Sequence, residues 1–173
     1  MRTIELVDYD PLWATLFEER RARIAGLLDH PAEIHHIGST AVPGLCAKPK
    51  LDIDAVMESQ TAIVDATGRL EDDGYAFHGN LGDAGRWAFT KDETPYGTRL
   101  YLCLTGNPAH ADRILFRDYL RRHPEAAAAY ALLKQRLATE SKGDWDHYTG
   151  AKTDFVADIL DKARMENSDI TNR

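Results

Sequence analysis

Ile37-Gly38-Ser39-Thr40-Ala41-Val42-Pro43-Gly44-Leu45-Cys46-Ala47-Lys48-Pro49-Lys50-Leu51-Asp52-Ile53-Asp54-Ala55 is the stretch on which the reading of this chain turns. Its end alternates apolar and acidic residues, which predicts a strand over residues 51–57. Successive side chains on a strand point to opposite faces, so Asp52 and Asp54 share one face and Leu51, Ile53 and Ala55 turn to the core. Two carboxylates about 7 Å apart on one strand face repel each other unless positive charge lies between them. Mg2+, or Mn2+ in its place, meets that demand, because a hard cation prefers oxygen and is commonly held by one or two carboxylates plus substrate phosphates. The beginning of the stretch supplies the complementary half. Gly38 lets the backbone approach a phosphate closely. The turn that follows can aim N–H groups at anionic oxygens, with the Ser39 hydroxyl as a further donor. Thr40 is a second hydroxyl of the same kind, and Lys48 brings a positive charge. A lone Gly-Ser or a lone Asp-x-Asp says little. Their combination, about a dozen residues apart, points to a phosphate-and-metal centre with Asp52 and Asp54 as metal-binding, catalytic carboxylates and Gly38, Ser39, Thr40 and Lys48 around the phosphate. Arg86, which starts a later strand after Gly85, is a further candidate that either binds the phosphate or pairs with Asp52 or Asp54.

Asp10-Pro11 opens a first helix whose apolar face carries Trp13, Phe17, Ile24, Leu27 and Leu28. Glu18, Glu19, Arg20, Arg21 and Arg23 read as its solvated side. A short strand is expected over residues 33–37, a helix over 61–72 ended by Gly74, and strands over 75–77, 86–90 and 99–104. The last two strands flank Pro95-Tyr96-Gly97 and predict an antiparallel hairpin. Residues 79–85, with three glycines, read as a loop. From the Asn107-Pro108 cap onward the pattern is helical, broken at His123-Pro124 and at a turn over 141–144. The order is helix, small mixed sheet, helical C-terminal half, which is α+β rather than a doubly wound sheet. A single domain is expected over residues 1–165, its sheet-containing part ending near 105 and its helical part running from about 106, with a polar, frayed tail at 166–173.

The remaining titratable residues carry less. His35 and His36 are adjacent on a strand, face opposite ways and cannot chelate together; His36 reads as packing or anchoring the loop. Arg117, Asp118 and Arg121 read as a salt-bridged helix surface. Lys152 is a candidate for the cleft. Trp145, Tyr148 and Phe155 read as packing residues.

The chain has 173 residues, enough for one real core. Its net charge of −7 argues against an extended nucleic-acid groove, where affinity comes from phosphate neutralisation, and leaves open a local basic pocket for a nucleotide or another phosphorylated small molecule, with a protein partner also open. No apolar run approaches the roughly 18 residues of a membrane span, and no signal-peptide pattern opens the chain, so a cytoplasmic location is expected and no membrane partner. Cys46 and Cys103 form no CxxC pair and read as reduced thiols.

The spacing of Ile37-Gly38-Ser39 and Asp52-Ile53-Asp54-Ala55 resembles the signature of the nucleotidyltransferase superfamily. The run from His36 to Leu45, then Ala47-Lys48-Pro49 and Asp52-Ile53-Asp54, resembles the GrpB family more narrowly, as do Gly74-Tyr75, Gly85-Arg86, residues 115–121 with His123-Pro124, and Tyr148-Thr149 with Ala151-Lys152. That resemblance covers nearly the whole chain and implies a nucleotidyltransferase-like fold: a small mixed β-sheet with flanking helices and a helical C-terminal half. It also implies a kinship with proteins fused to dephospho-CoA kinase. Active nucleotidyltransferases carry a third carboxylate on a later strand. The strand expected to hold it, residues 99–104, has no acid, and Tyr101 stands where relatives tend to show a His; Asp83 is the remaining candidate. Three functions follow: a metal-dependent nucleotidyltransferase using a nucleoside triphosphate and a small acceptor; a catalytically reduced nucleotide- or CoA-precursor-binding module with a regulatory or partner-assisting role; or a structural protein with an idle motif.

Overall fold

Alternation of apolar residues with acids in the Asp52-Ile53-Asp54 stretch produces the strand Lys50–Met57, which lies beside the central strand of the sheet. The computed structural model describes residues 5–81, 85–140 and 150–171. Its strands are β1 (Ala32–Ile37), β2 (Lys50–Met57), β3 (Ala76–Asn80), β4 (Arg86–Lys91) and β5 (Gly97–Leu104). Its helices are α1 (Leu12–Leu27), α2 (Gln60–Asp72), α3 (Pro108–Arg122), α4 (Pro124–Glu140) and α5 (Thr153–Thr171). The sheet order is β1-β2-β5-β4-β3, with β2 and β5 parallel and the other pairs antiparallel. This is the expected α+β architecture with a mixed sheet, and β4 and β5 form the expected hairpin.

Leu51, Ile53, Ala55 and Met57 are wholly buried, with Leu100 and Leu102 of β5 and Phe89 of β4 beside them. They meet Trp13, Phe17 and Ile24 of α1 and Ile63 and Leu70 of α2 in one core. Each of the Leu, Ile, Met and Phe side chains contributes about 1.5–3 kcal/mol of burial free energy, which is why the register of β2 is fixed. The opposite face of β2 carries Asp52 and Asp54, and α3 packs over that side beside β1. A second apolar cluster joins Val42 and Leu45, from the loop between β1 and β2, to Tyr119 and Leu120 of α3, Tyr130 of α4 and Ile159 and Ala163 of α5. The motif loop is therefore the seam between sheet and helical half.

The helix starts follow the capping chemistry. Asp10 accepts the Leu12 N–H at 2.9 Å, with Pro11 at the cap position just before the helix. Asn107 accepts the His110 N–H at 3.1 Å at the start of α3. Three expectations shift. The strand β3 continues through Gly79 and Asn80, which the glycine content had suggested were loop; Asn80 Oδ1 accepts the Arg86 N–H at 3.0 Å and draws the two strands together. The last helix runs on to Thr171, past the point where a frayed tail was expected. Arg20 is buried in the α1 interface rather than solvated: it donates to the carbonyls of Tyr96 and Gly97 and pairs with Glu93 at 3.3 Å. The proposed turn at 141–144, Trp145, Tyr148 and Asp83 lie outside the described residues.

Candidate functional site

The antiparallel pairing of β1 with β2 and the parallel pairing of β2 with β5 set two rows across the non-core face. One row is Ile37, Asp52 and Arg99; the next is His35, Asp54 and Tyr101. Asp52 and Asp54 thus share a face as the strand period requires, yet the two carboxylates live in different surroundings.

Asp52 lines a pocket of about 240 Å³ with Gly38, Ser39, Thr40, Lys48, Lys50, Arg99, Lys134 and Lys152 among its walls. Its side chain is 31% exposed, and Arg99 lies 3.7 Å away. Burial pushes the Asp52 carboxyl up, against the pull of Arg99 and Arg113 and with a push from Asp54. Gly38 stands directly against it. The backbone there has φ +72°, and a Cβ at this position would lie 2.8 Å from Asp52 Oδ2, so only glycine admits both the conformation and the carboxylate. From Gly38 the chain enters a single 3-10 turn, Ser39–Ala41.

The helical half grips this turn. Lys134 of α4 is 2% exposed; its ammonium donates to Ser39 Oγ at 3.0 Å and to the Cys46 carbonyl. Arg117 and Arg121 of α3 donate to the His36 carbonyl at 2.9 Å and the Ala41 carbonyl at 2.8 Å. They also pair with Asp118, as a salt-bridged helix would, but their reach to the loop carbonyls was not foreseen. His36 is an anchor, as expected: it stacks on Phe17 and bonds Thr40 Oγ1 at 2.9 Å. Burial, with Arg121 and Arg117 nearby, pushes its imidazole down to about 4. Thr40 borders the pocket, but its hydroxyl is engaged by His36 rather than aimed outward. Burial pushes the Lys48, Lys134 and Lys152 ammonium groups down to about 8 each, and Lys152 lowers the other two further. All three remain mostly protonated at neutral pH and form a concentrated positive lining.

Asp54 is fully buried, and both its oxygens are taken. Oδ1 accepts from Arg113 Nη1 at 2.7 Å and Oδ2 bonds His110 Nδ1 at 2.9 Å, both from α3. His35 lies against His110, ring centroids 5.0 Å apart. The Tyr101 ring carries the guanidinium of Arg113 at 4.3 Å and that of Arg86 at 5.0 Å. Arg86 therefore belongs to this second cluster and not to the lysine pocket; the cations beside Asp52 and Asp54 are Arg99 and Arg113. The strand parallel to β2 places Arg99 and Tyr101, and no acid, next to the two aspartates. Among the described residues no group of three or more His, Cys, Asp or Glu side chains is arranged to hold a metal ion. In this arrangement the pair does not fit a magnesium centre, because Asp54 is already neutralised and has no access to the water that Mg2+ keeps.

Lys134, Arg99, His110 and Arg113 were not singled out from the sequence. For Lys134 a signal existed: it falls on the buried stripe of Tyr130 and Leu137 at helical spacing, where a lysine needs a reason. Lys152, a lesser candidate, does line the pocket, and Phe155 packs on Tyr130 with centroids 5.2 Å apart. Cys46 and Cys103 are buried free thiols.

With this geometry in view, comparison with known proteins identifies the lineage. The family model described as GrpB protein matches residues 3–162. The chain belongs to the GrpB family. It is 34% identical over 165 residues to the UPF0157 protein YqkA of Bacillus subtilis, aligning 94% of this chain but spanning only 48% of that protein. A UPF0157 protein of Deinococcus radiodurans is 36% identical over 161 residues, covering 92% of this chain and 82% of the relative. A dephospho-CoA kinase of Mycolicibacterium paratuberculosis is 25% identical over 186 residues, which make up 46% of its length. The crystal structure of GrpB from Enterococcus faecalis superposes with a TM-score of 0.85 at 28% identity, covering 94% of this chain and 99% of the other. The Cid1 poly(U) polymerase, in a form bound to MgATP, superposes at TM-score 0.52 and 16% identity over 76% of this chain and 44% of its own. The GrpB fold is thus nucleotidyltransferase-like. Among the described residues no helix is long and apolar enough to cross a membrane.

Proposed function

We propose that this GrpB protein is a phosphate-recognising module, the catalytically reduced form of a nucleotidyltransferase-like fold, which takes the phosphate end of a nucleotide or CoA precursor in the pocket beside Asp52. The observation that carries this reading is the convergence of Lys48, Lys50, Arg99, Lys134 and Lys152 on one pocket with a single carboxylate and the Ser39 hydroxyl. Cations at that density, partly desolvated, favour a multiply charged anion over water. The volume of about 240 Å³ is below the roughly 300–1,000 Å³ of sites that enclose a drug-sized ligand. The pocket thus suits the charged end of a ligand whose remainder lies outside it. Dephospho-CoA and its precursors are natural candidates, because a protein named for that kinase activity contains a segment similar to this chain.

Nucleotidyl transfer is the competing reading of the same motif. It needs a nucleophile-activating base and a metal pair beside Asp52 and Asp54, and Arg113, His110, Arg99 and Tyr101 occupy those places. Titration calorimetry with pyrophosphate, nucleoside triphosphates and dephospho-CoA separates the two. Binding that is retained in Asp54→Asn and lost in Lys134→Met combined with Lys152→Met supports the module. No heat with any of the three ligands ends it. Release of pyrophosphate from a triphosphate, abolished by Asp52→Asn, would instead establish the transferase.

A further inference from the structure

Asp54 is the acid of the motif furthest from solvent, and it already has a full set of partners. Arg113 and His110 each take one of its oxygens, at 2.7 and 2.9 Å. The guanidinium of Arg113 is also fixed by the Tyr101 ring at 4.3 Å, and Tyr101 sits opposite Asp54 in the parallel register of β2 and β5. This cation is therefore built into the fold from two sides, helix and sheet. A divalent ion at the same carboxylate would have to displace a charge-assisted bond and bring its own hydration to a carboxylate with no exposed surface. Asp52 has a guanidinium of its own, Arg99, at 3.7 Å.

We propose that Arg113, held beside His110 on the same carboxylate, is a built-in cation standing in the place of a divalent ion at Asp54, and that this protein consequently recognises phosphate groups in their metal-free form rather than as magnesium chelates. The inference rests on the phosphate reading of the lysine pocket and adds to it the ionic state of the ligand. A magnesium-chelated polyphosphate brings less negative charge to the lysines, and its ion finds Asp54 already taken by Arg113 and His110 and Asp52 already faced by Arg99 at 3.7 Å. Adding Mg2+ should therefore weaken binding, the opposite of what a metal-dependent nucleotide site does.

Two measurements on the full chain test this, and they fail separately. Calorimetry with tripolyphosphate is run in chelator and again in excess Mg2+. The proposal expects binding in chelator and a several-fold loss with Mg2+; binding only when Mg2+ is present overturns it while leaving the phosphate reading intact, and no binding in either condition overturns both. The second measurement needs no phosphate. Mn2+ binding is followed by electron paramagnetic resonance and by melting temperature. The wild-type protein should bind no stoichiometric Mn2+. Arg113→Met with His110→Ala, which strips Asp54 of its partners, should melt lower and be restored by several degrees on adding Mn2+, an effect that Asp54→Asn in the same background removes. Mn2+ bound by the wild-type protein and lost in Asp54→Asn overturns the proposal, and this arm remains decisive if the double variant does not fold.

Discussion

Replacing Gly38 by alanine tests how the motif is built. The backbone at Gly38 has φ 72° and ψ −170°, a region essentially reserved for glycine, and holding a side-chain-bearing residue there costs about 1–3 kcal/mol. The added Cβ would lie 2.8 Å from Asp52 Oδ2, 3.2 Å from Asp52 Cβ and 3.4 Å from Asp52 Cγ. The carboxylate oxygen can swing away, but the Cβ is fixed to β2, so a further overpacking cost of about 1 kcal/mol follows. The sum, about 2–4 kcal/mol, is a large fraction of the 5–15 kcal/mol typical of a domain and lowers the melting temperature by about 4–16 °C. Gly44→Ala is the control. Gly44 also has a positive φ, +79°, but a Cβ there meets nothing within 4 Å, so the variant carries backbone strain alone, about 1–2 kcal/mol. Urea unfolding with linear extrapolation measures both. Titration of pyrophosphate should show a loss of affinity for Gly38→Ala well beyond that for Gly44→Ala, because Asp52 is pushed toward the lysines. If Gly38→Ala is no more destabilising than Gly44→Ala, the close approach of Asp52 to the glycine is not what the motif requires and the reasoning fails.

Two pH dependences follow from the buried bases. Lys48, Lys134 and Lys152 release protons near pH 8 in the folded chain and near 10.5 when unfolded. Above pH 8 the unfolded chain holds more protons, so raising pH favours the fold, and ligand-free stability should rise between about pH 8 and pH 10.5 while phosphate affinity falls as the ammonium groups discharge. Lys134→Met should flatten both trends, measured by urea midpoints and calorimetry across that range. The His36 imidazole has the same sign in a lower pH window: it is pushed from 6.5 to about 4, so as pH falls through that interval the unfolded chain takes the proton first and stability is lost. His36→Phe, which keeps the stack on Phe17, should lessen the fall in urea midpoint over that interval; an unchanged fall would show that His36 does not drive it.

Much of the fold was legible because its signals are local. The period-two alternation in β2 put both aspartates on one face, Pro95-Tyr96-Gly97 announced the β4–β5 hairpin, and Asn107 capped α3 as its side chain predicts. The misreadings are also local signals, overridden by tertiary partners. Gly79 and Asn80 look like loop until Asn80 pairs with Trp87 of β4, and polar residues beyond Glu166 look like a tail although helix continues through them. Arg20 looks like one more surface charge, yet its length lets it cross to the turn before β5.

The site was legible only by half, because its two halves have different origins. Gly38, Ser39, Asp52 and Asp54 are joined by a short stretch of chain and could be grouped by spacing alone. What those aspartates do is decided by residues that the fold brings from far away. Only the parallel register of β2 with β5 puts Arg99 beside Asp52 and Tyr101 beside Asp54, and only the docking of α3 delivers His110 and Arg113. An isolated Asp-x-Asp strand face asks for a cation, and the sequence suggested a metal; the fold answers with guanidinium groups. The same distinction resolves the charge argument. A net charge of −7 spreads over the whole surface and is screened within about 10 Å at ordinary salt, whereas five cationic side chains facing one carboxylate around a pocket of about 240 Å³ act on a ligand at contact distance. Summed charge therefore speaks against a long anionic polymer and leaves a compact phosphate untouched, which is the ligand class proposed for the pocket.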